Sequence, residues 1–207
     1  MFYSIVKGML SVLIWLFFKF KVFGAENIPN EGGVIIASNH VSYLDIPFLA
    51  CATGRSVDFI AKSELFRNRV AGWILKRLGT FPVKRGSIDR WAISEAIKRL
   101  RDGRVIAIYP EGARSRDGRL SDPKRGIGML VALSGVRVIP SFIMGTDSVL
   151  PRGARRIRLN PVRLYLGSPL DFSSLINVKK GKELYTEISE EIMRGIGDLE
   201  AKAKGMD

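Results

Sequence analysis

The 207-residue chain has one histidine, His40, and an aspartate, Asp45, follows it five positions later in the stretch ASNHVSYLDIP. A neutral imidazole can take a proton from a reacting hydroxyl, and a carboxylate beside it would fix the tautomer and stabilise the imidazolium that forms. Ser42 and Asp45 are also spaced as the N-cap and third residue of a helix. That is a capping box with Asp in place of the usual Glu, and it would explain Asp45 without any catalysis. The two roles are compatible, because a carboxylate in a first helical turn can accept from a backbone N–H and still orient an imidazole in the preceding loop. Ser42 and Cys51 are the local candidates for covalent attack, but Ser42 has a capping task and Cys51 lies in an apolar run. The economical reading makes the nucleophile a substrate hydroxyl, deprotonated by His40.

Two further loops are chemically loaded. GTFPVKRGS places Lys84 and Arg85 after a strand, and YPEGARSRDGR places Glu111, Gly112, Arg114 and Ser115 after another. Arginine forks grip phosphate through paired hydrogen bonds, and Gly112 would let backbone approach a ligand. Either basic loop alone is more often a solvated surface; convergence with His40 at one sheet edge would give both weight. A Walker A loop and a complete GxGxxG fingerprint are both missing from the sequence, which disfavours nucleotide hydrolysis and a Rossmann cofactor site. A lone histidine with scattered acids makes no recognisable metal-ligand set.

To bring these loops together the chain must deliver each on the end of a strand. VIIAS reads as a buried strand that ends at Asn39 and His40, followed by a helix over about 43–52. VDFIAK is a second strand, and SELFRNRVAGWILKRLG predicts a helix with Ser63 as N-cap and Gly79 just past its end. TFPVK reads as an edge strand, because Pro82 cannot donate to a ladder. From Ser87 to Gly103 the pattern predicts a helix with Trp91, Ala96, Ile97 and Leu100 facing inward. RVIAIYP is the clearest buried strand; a short helix around 127–133, the buried strand VRVIPSFI, a late strand VRLYLG and a charged helix over 182–203 follow. This alternation predicts an α/β fold, a mixed, largely parallel sheet flanked by helices, with its loaded loops at one edge.

The N-terminus departs from a soluble pattern. From Gly8 to Phe18 the chain carries no charge, yet these eleven residues fall short of the roughly 20 that a spanning helix needs. Read as a helix, Phe2, Ile5, Met9, Leu13, Leu16 and Phe20 share one face, with Ser4, Lys7, Gly8 and Ser11 opposite. Lys19 and Lys21 can snorkel and argue against signal cleavage. The expectation is an amphipathic, monotopic membrane-associated helix over 1–24 ahead of one domain over 25–207; a buried first helix is the alternative.

Charge points the same way. Lys and Arg number 33 against 20 Asp and Glu, a net +13, so partners should be anionic: nucleic acid, acidic headgroups, phosphorylated substrates or acidic carrier proteins. No zinc-finger, RNA-recognition or basic-zipper signature supports nucleic acid. Cys51 is the sole cysteine, which rules out an internal disulfide and Cys-rich zinc or redox motifs, and fits a cytosolic compartment. Arg152, Arg155, Arg156 and Arg158 either attract anionic headgroups, each worth about 1 kcal/mol near the surface, or form a solvated basic turn.

NHVSYLD, GTFPVKR, YPEGARS and VIPSFI, in this order and spacing, resemble the four blocks of the glycerolipid acyltransferase family, whose bacterial type is 1-acyl-glycerol-3-phosphate acyltransferase. The resemblance covers residues 33 to about 145; each block alone is weak and the joint pattern is specific. It implies His40 and Asp45 as the catalytic pair, Arg85, Glu111, Gly112 and Arg114 as acceptor-binding residues, and Pro140 as a shaping residue. It further implies an acyl thioester, acyl-CoA or acyl carrier protein, as co-substrate, with no cofactor or metal. The acceptor would be a lysophospholipid and the product phosphatidic acid, made for phospholipid biosynthesis at the cytoplasmic face of the cell membrane. Acylation of glycerol 3-phosphate or a lyso-ornithine lipid, and lipid binding without catalysis, are the alternatives. Lys84 stands where an acidic residue is frequent, Pro82 where an aromatic is, and Ala113 where Thr is usual; these departures bear on acceptor identity more than on chemistry.

Overall fold

A computed structural model describes residues 2–84 and 89–205. In chain order, α1 (Phe2–Phe17), β1 (Lys21–Phe23), β2 (Val34–Ser38), α2 (Asp45–Ala52), β3 (Val57–Lys62), α3 (Arg69–Arg77), β4 (Phe81–Val83), α4 (Arg90–Arg101) and β5 (Val105–Ile108) form the first half. The second half contains α5 (Arg125–Ser134), β6 (Val138–Met144), α6 (Thr146–Val149), β7 (Arg163–Leu166), α7 (Ser173–Val178) and α8 (Gly181–Lys204). Among the described residues the strands make one seven-stranded sheet in the order β1-β7-β6-β2-β5-β3-β4, in which β6 and β7 pair antiparallel and the other neighbours pair parallel.

The central strands are apolar on both faces because helices cover both faces. Val34, Ile36, Val105, Ala107 and Ile139 pack against Ile14 of α1 and Phe48 and Leu49 of α2. Ile35, Ala37, Ile106 and Val138 pack against Ala96, Leu100, Leu130, Ile188 and Ile192 from α4, α5 and α8. Gly128 lets α5 press onto α8: a Cβ there would collide with the Tyr185 carbonyl, and its N–H reaches Ser189 Oγ at 3.1 Å. Because β2 to β6 run in parallel, the loops that leave them open at one edge of the sheet, the position where α/β folds place their chemistry.

β4 is the edge strand that Pro82 predicts. The helix expected from Ser63 instead divides into a 3-10 turn, Ser63–Phe66, and α3. Its cap is Asn68, whose side-chain oxygen accepts from the N–H groups of Val70 and Ala71, satisfying donors that Ser63 is too far upstream to reach. α4 starts after Asp89, which accepts from Trp91 and Ala92. That start aims the i, i+4, i+8 stripe of Ala92, Ala96 and Leu100 inward, and Trp91, expected inside, is 56% exposed. β1, α6 and α7 were not anticipated by periodicity, being three, four and six residues long.

α1 sits with its apolar face outward. Lys7, on the face read as polar, points inward and donates from Nζ to the carbonyls of Thr53 at 2.6 Å and Arg55 at 2.9 Å, beyond the C-terminus of α2. Burial pushes this ammonium below its ordinary pKa. Tyr3 Oη accepts from the Val57 N–H at 2.9 Å, and Leu10 and Ile14 pack into the core beside it. Ile5, Met9, Val12 and Leu16 are 55–69% exposed. Among the described residues no helix is long and apolar enough to cross a membrane.

Candidate active site

His40 leaves the end of β2 and is buried, with 8% of its surface exposed. Its Nδ1 lies 2.7 Å from Asp45 Oδ2. The same oxygen accepts from the backbone N–H groups of Val41 at 2.8 Å and Ser42 at 2.9 Å. Asp45 Oδ1 accepts from Thr146 Oγ1 at 2.5 Å. A carboxylate accepts only, so the partner nitrogen of the neutral ring carries the proton and Nε2 keeps its lone pair.

The capping box forms by half. Asp45 reaches back to the Ser42 N–H, as its third-residue place predicts, but the Ser42 hydroxyl, which donates to Leu150 O at 3.1 Å, accepts from the Leu44 N–H at 3.4 Å and not from that of Asp45. α2 starts at Asp45 itself, behind a loop whose amides the carboxylate gathers. Leu44, not Ser42, holds the cap position of α2 and no side chain caps it; what the turn does is set Asp45 against His40.

The backbone of His40 is clamped by the loop after β5. Its N–H donates to Glu111 Oε1 at 3.2 Å, and its carbonyl accepts from the Ser115 N–H at 2.7 Å. Glu111 is buried, and its other oxygen accepts from the Ser121 hydroxyl at 2.8 Å and the Ser121 N–H at 3.2 Å. Gly112 has φ +73°, a left-handed value that favours glycine, and it turns the chain back toward Tyr109 through a 2.9 Å backbone bond. Arg114 stacks its guanidinium 3.6 Å above the Tyr43 ring. Both line a cleft of about 380 Å³ together with Leu150 and Arg152. A second cleft, of about 420 Å³ along the start of α8 around Lys182 and Thr186, contains none of these groups.

Pro140 sits inside β6, paired with Ala37, where Gly167 and Gly195 close on its ring. Lys84 is exposed, with its N–H on Asp89 Oδ2 at 2.8 Å. Arg85 lies outside the described residues.

The general acyltransferase family model matches residues 19–144, more than half of the chain. The chain belongs to the acyltransferase family. Over 205 residues it is 30% identical to a 1-acyl-sn-glycerol-3-phosphate acyltransferase of Bacillus subtilis (strain 168), covering 97% of this chain and 98% of that one. A chloroplastic 1-acyl-sn-glycerol-3-phosphate acyltransferase of Arabidopsis thaliana is 35% identical over 173 residues, 80% of this chain; the present chain spans 48% of that longer protein. The crystal structure of the 1-acyl-sn-glycerophosphate (LPA) acyltransferase PlsC from Thermotoga maritima superimposes with a TM-score of 0.75. The two chains are 29% identical, and the match covers 96% of this chain and 81% of that one.

Three residues around His40 take parts in its surroundings that the sequence did not assign them. Thr146, fully buried, holds Asp45 from 101 positions away, and no local pattern announces it. Asn39 clasps the backbone of Ile143 with its amide, donating to its carbonyl at 2.9 Å and accepting from its N–H at 2.8 Å, so the end of β2 is tied to β6. Tyr109 lies flat on the imidazole of His40, ring centroids 3.9 Å apart at 14°. Its hydroxyl is buried without a hydrogen-bond partner among the described residues. Burial, and secondarily the Asp45 carboxylate, push the phenol well above its ordinary pKa, so it stays neutral near neutral pH. Its place directly before PEGARS was the available signal.

Proposed function

We propose that this chain transfers a fatty acyl group from acyl-CoA or acyl carrier protein to the free hydroxyl of 1-acyl-glycerol 3-phosphate, giving phosphatidic acid. The observation that carries this reading is the His40–Asp45 pair, with Nδ1 engaged at 2.7 Å and Nε2 left as the ring's basic atom. Nε2 takes the proton of the acceptor hydroxyl as its oxygen attacks the thioester carbon. When the tetrahedral intermediate collapses, the C–S bond breaks and the thiolate receives that proton from His40. No protein nucleophile is required. Arg114, at the cleft it shares with Arg152, fits the acceptor phosphate, with Arg85 expected to assist. Glu111, both of whose oxygens are engaged within the chain, fits a positioning role through the His40 backbone.

The outward apolar face of α1 supports a monotopic site at the cytoplasmic face of the membrane, where acceptor and product reside, with residues 1–24 as the anchor and 25–207 as the catalytic domain. The decisive experiment is an acyl-transfer assay on purified chain. Its acceptor panel contains 1-acyl-glycerol 3-phosphate, glycerol 3-phosphate and a lyso-ornithine lipid, each with both thioester donors. Phosphatidic acid should form, and His40→Ala should lower the rate by about 10² to 10⁴ in a protein that still unfolds cooperatively. Equal rates in wild type and His40→Ala, or no product with any acceptor, would end the proposal.

A further inference from the structure

α3 exposes apolar side chains on a helix that hardly packs. Val70 is 69% exposed, Trp73 52% and Ile74 39%. The spacing i, i+3, i+4 places the three on one stripe. A different stripe, around Gly72, meets the protein: Gly72 is buried where a Cβ would press on the Phe66 carbonyl. Cations flank the outer stripe on one side and close its C-terminal end. Arg69 and Lys76 lie on its flank and are exposed, and the Arg77 guanidinium lies 5.1 Å over the Trp73 ring. α3 contains no acid. Just before it stand Arg67 and a 52% exposed Leu65, and the nearby Glu64 is taken by Lys62 at 3.2 Å.

A solvated helix of this length would show the reverse order, polar outside and apolar beneath. An outward apolar stripe with a basic border is the composition of a helix lying in the plane of an anionic membrane. The stripe is not isolated. Phe2 meets Trp73 edge to face at 5.7 Å, which joins it to the outward face of α1. Together they form an extended apolar flank rather than scattered exposed side chains.

We propose that α3 is a second membrane-inserting element, seated beside α1 on a bilayer that contains anionic lipid. Val70, Trp73 and Ile74 enter the acyl region, and Arg69, Lys76 and Arg77 meet headgroup phosphates. This rests on the membrane reading of α1, and the test separates the two.

Trp15, Trp73 and Trp91 are the only tryptophans in the chain. Pairwise Trp→Phe replacement yields full-length variants that each keep one. These are mixed with phosphatidylcholine–phosphatidylglycerol vesicles carrying acyl-chain bromine. Trp73 emission should shift to the blue and be quenched as Trp15 emission is, and both effects should shrink when phosphatidylglycerol is omitted. The triple substitution Val70→Ser, Trp73→Ser, Ile74→Ser should weaken vesicle binding on the order of 100-fold. Quenching of Trp15 without Trp73 would overturn the role of α3 and leave α1 docked. Quenching of neither would overturn both. A Trp73 blue shift that needs no lipid and follows self-association would give the stripe to a second copy of the chain, and would also overturn the proposal.

Discussion

The surroundings of His40 and the flank of α1 and α3 are built on opposite terms. Around His40 nearly every polar atom is answered from within the chain: Asp45 alone accepts from an imidazole, two backbone amides and a threonine. On the flank, Met9, Val12, Leu16 and Val70 are 65–69% exposed and contribute little to the core. A self-satisfied buried network specifies geometry, and removing one partner leaves the others desolvated and unpaired. An exposed apolar stripe does nothing for the isolated fold and acquires energy only from surroundings that remove it from water. The first region can therefore be tested in solution and the second only against lipid.

Substitutions should divide along that line. The largest effect belongs to Asp45→Asn. An amide cannot accept at both ends, so some of the four donors lose their partner; acyl transfer should fall by about 10² to 10⁴. Unfolding free energy, read by denaturant titration, should fall by about 1–3 kcal/mol as well. Thr146→Val removes one donor to the carboxylate and keeps the shape. It should cost about 1.5–3 kcal/mol of stability, and steady-state assays should show a smaller loss of kcat than for Asp45→Asn. Tyr109→Phe keeps the ring on His40 and removes a buried hydroxyl without a partner. Stability should rise by about 1 kcal/mol with kcat nearly unchanged; a large drop in kcat would show that the hydroxyl serves the substrate. The smallest change in solution is expected on the flank. Met9→Ser with Val12→Ser should leave unfolding within about 0.5 kcal/mol for each position, while sedimentation with anionic vesicles falls sharply.

What the sequence could disclose follows from the range of the forces involved. Val34 to Ser38 and Val105 to Ile108 were legible as strands because burial on two faces demands unbroken apolar runs. His40 and Asp45 were legible because a strand end and a first helical turn lie within five residues. Thr146 was not, since it reaches Asp45 only through the path of β6 across the sheet. Ser63 misled because Asn68, five residues on, was an equally good cap and stood where the helix could begin. Trp91 misled because the helix pattern put it on the inner face, whereas the start fixed by Asp89 gave that stripe to Ala92, Ala96 and Leu100. Lys7 falls opposite the apolar face, as the periodicity predicts, but its partners, carbonyls past the end of α2, are far from it in sequence.

That last contact gives α2 the character of a strut. One end is gripped by α1 through Lys7, the other begins with Asp45, and eight residues of helix set the two about 12 Å apart. A rigid spacer of fixed length transmits position. If α1 rests at a given depth in a lipid surface, the imidazole of His40 rests at a corresponding height, and only hydroxyls presented at that level come within its reach.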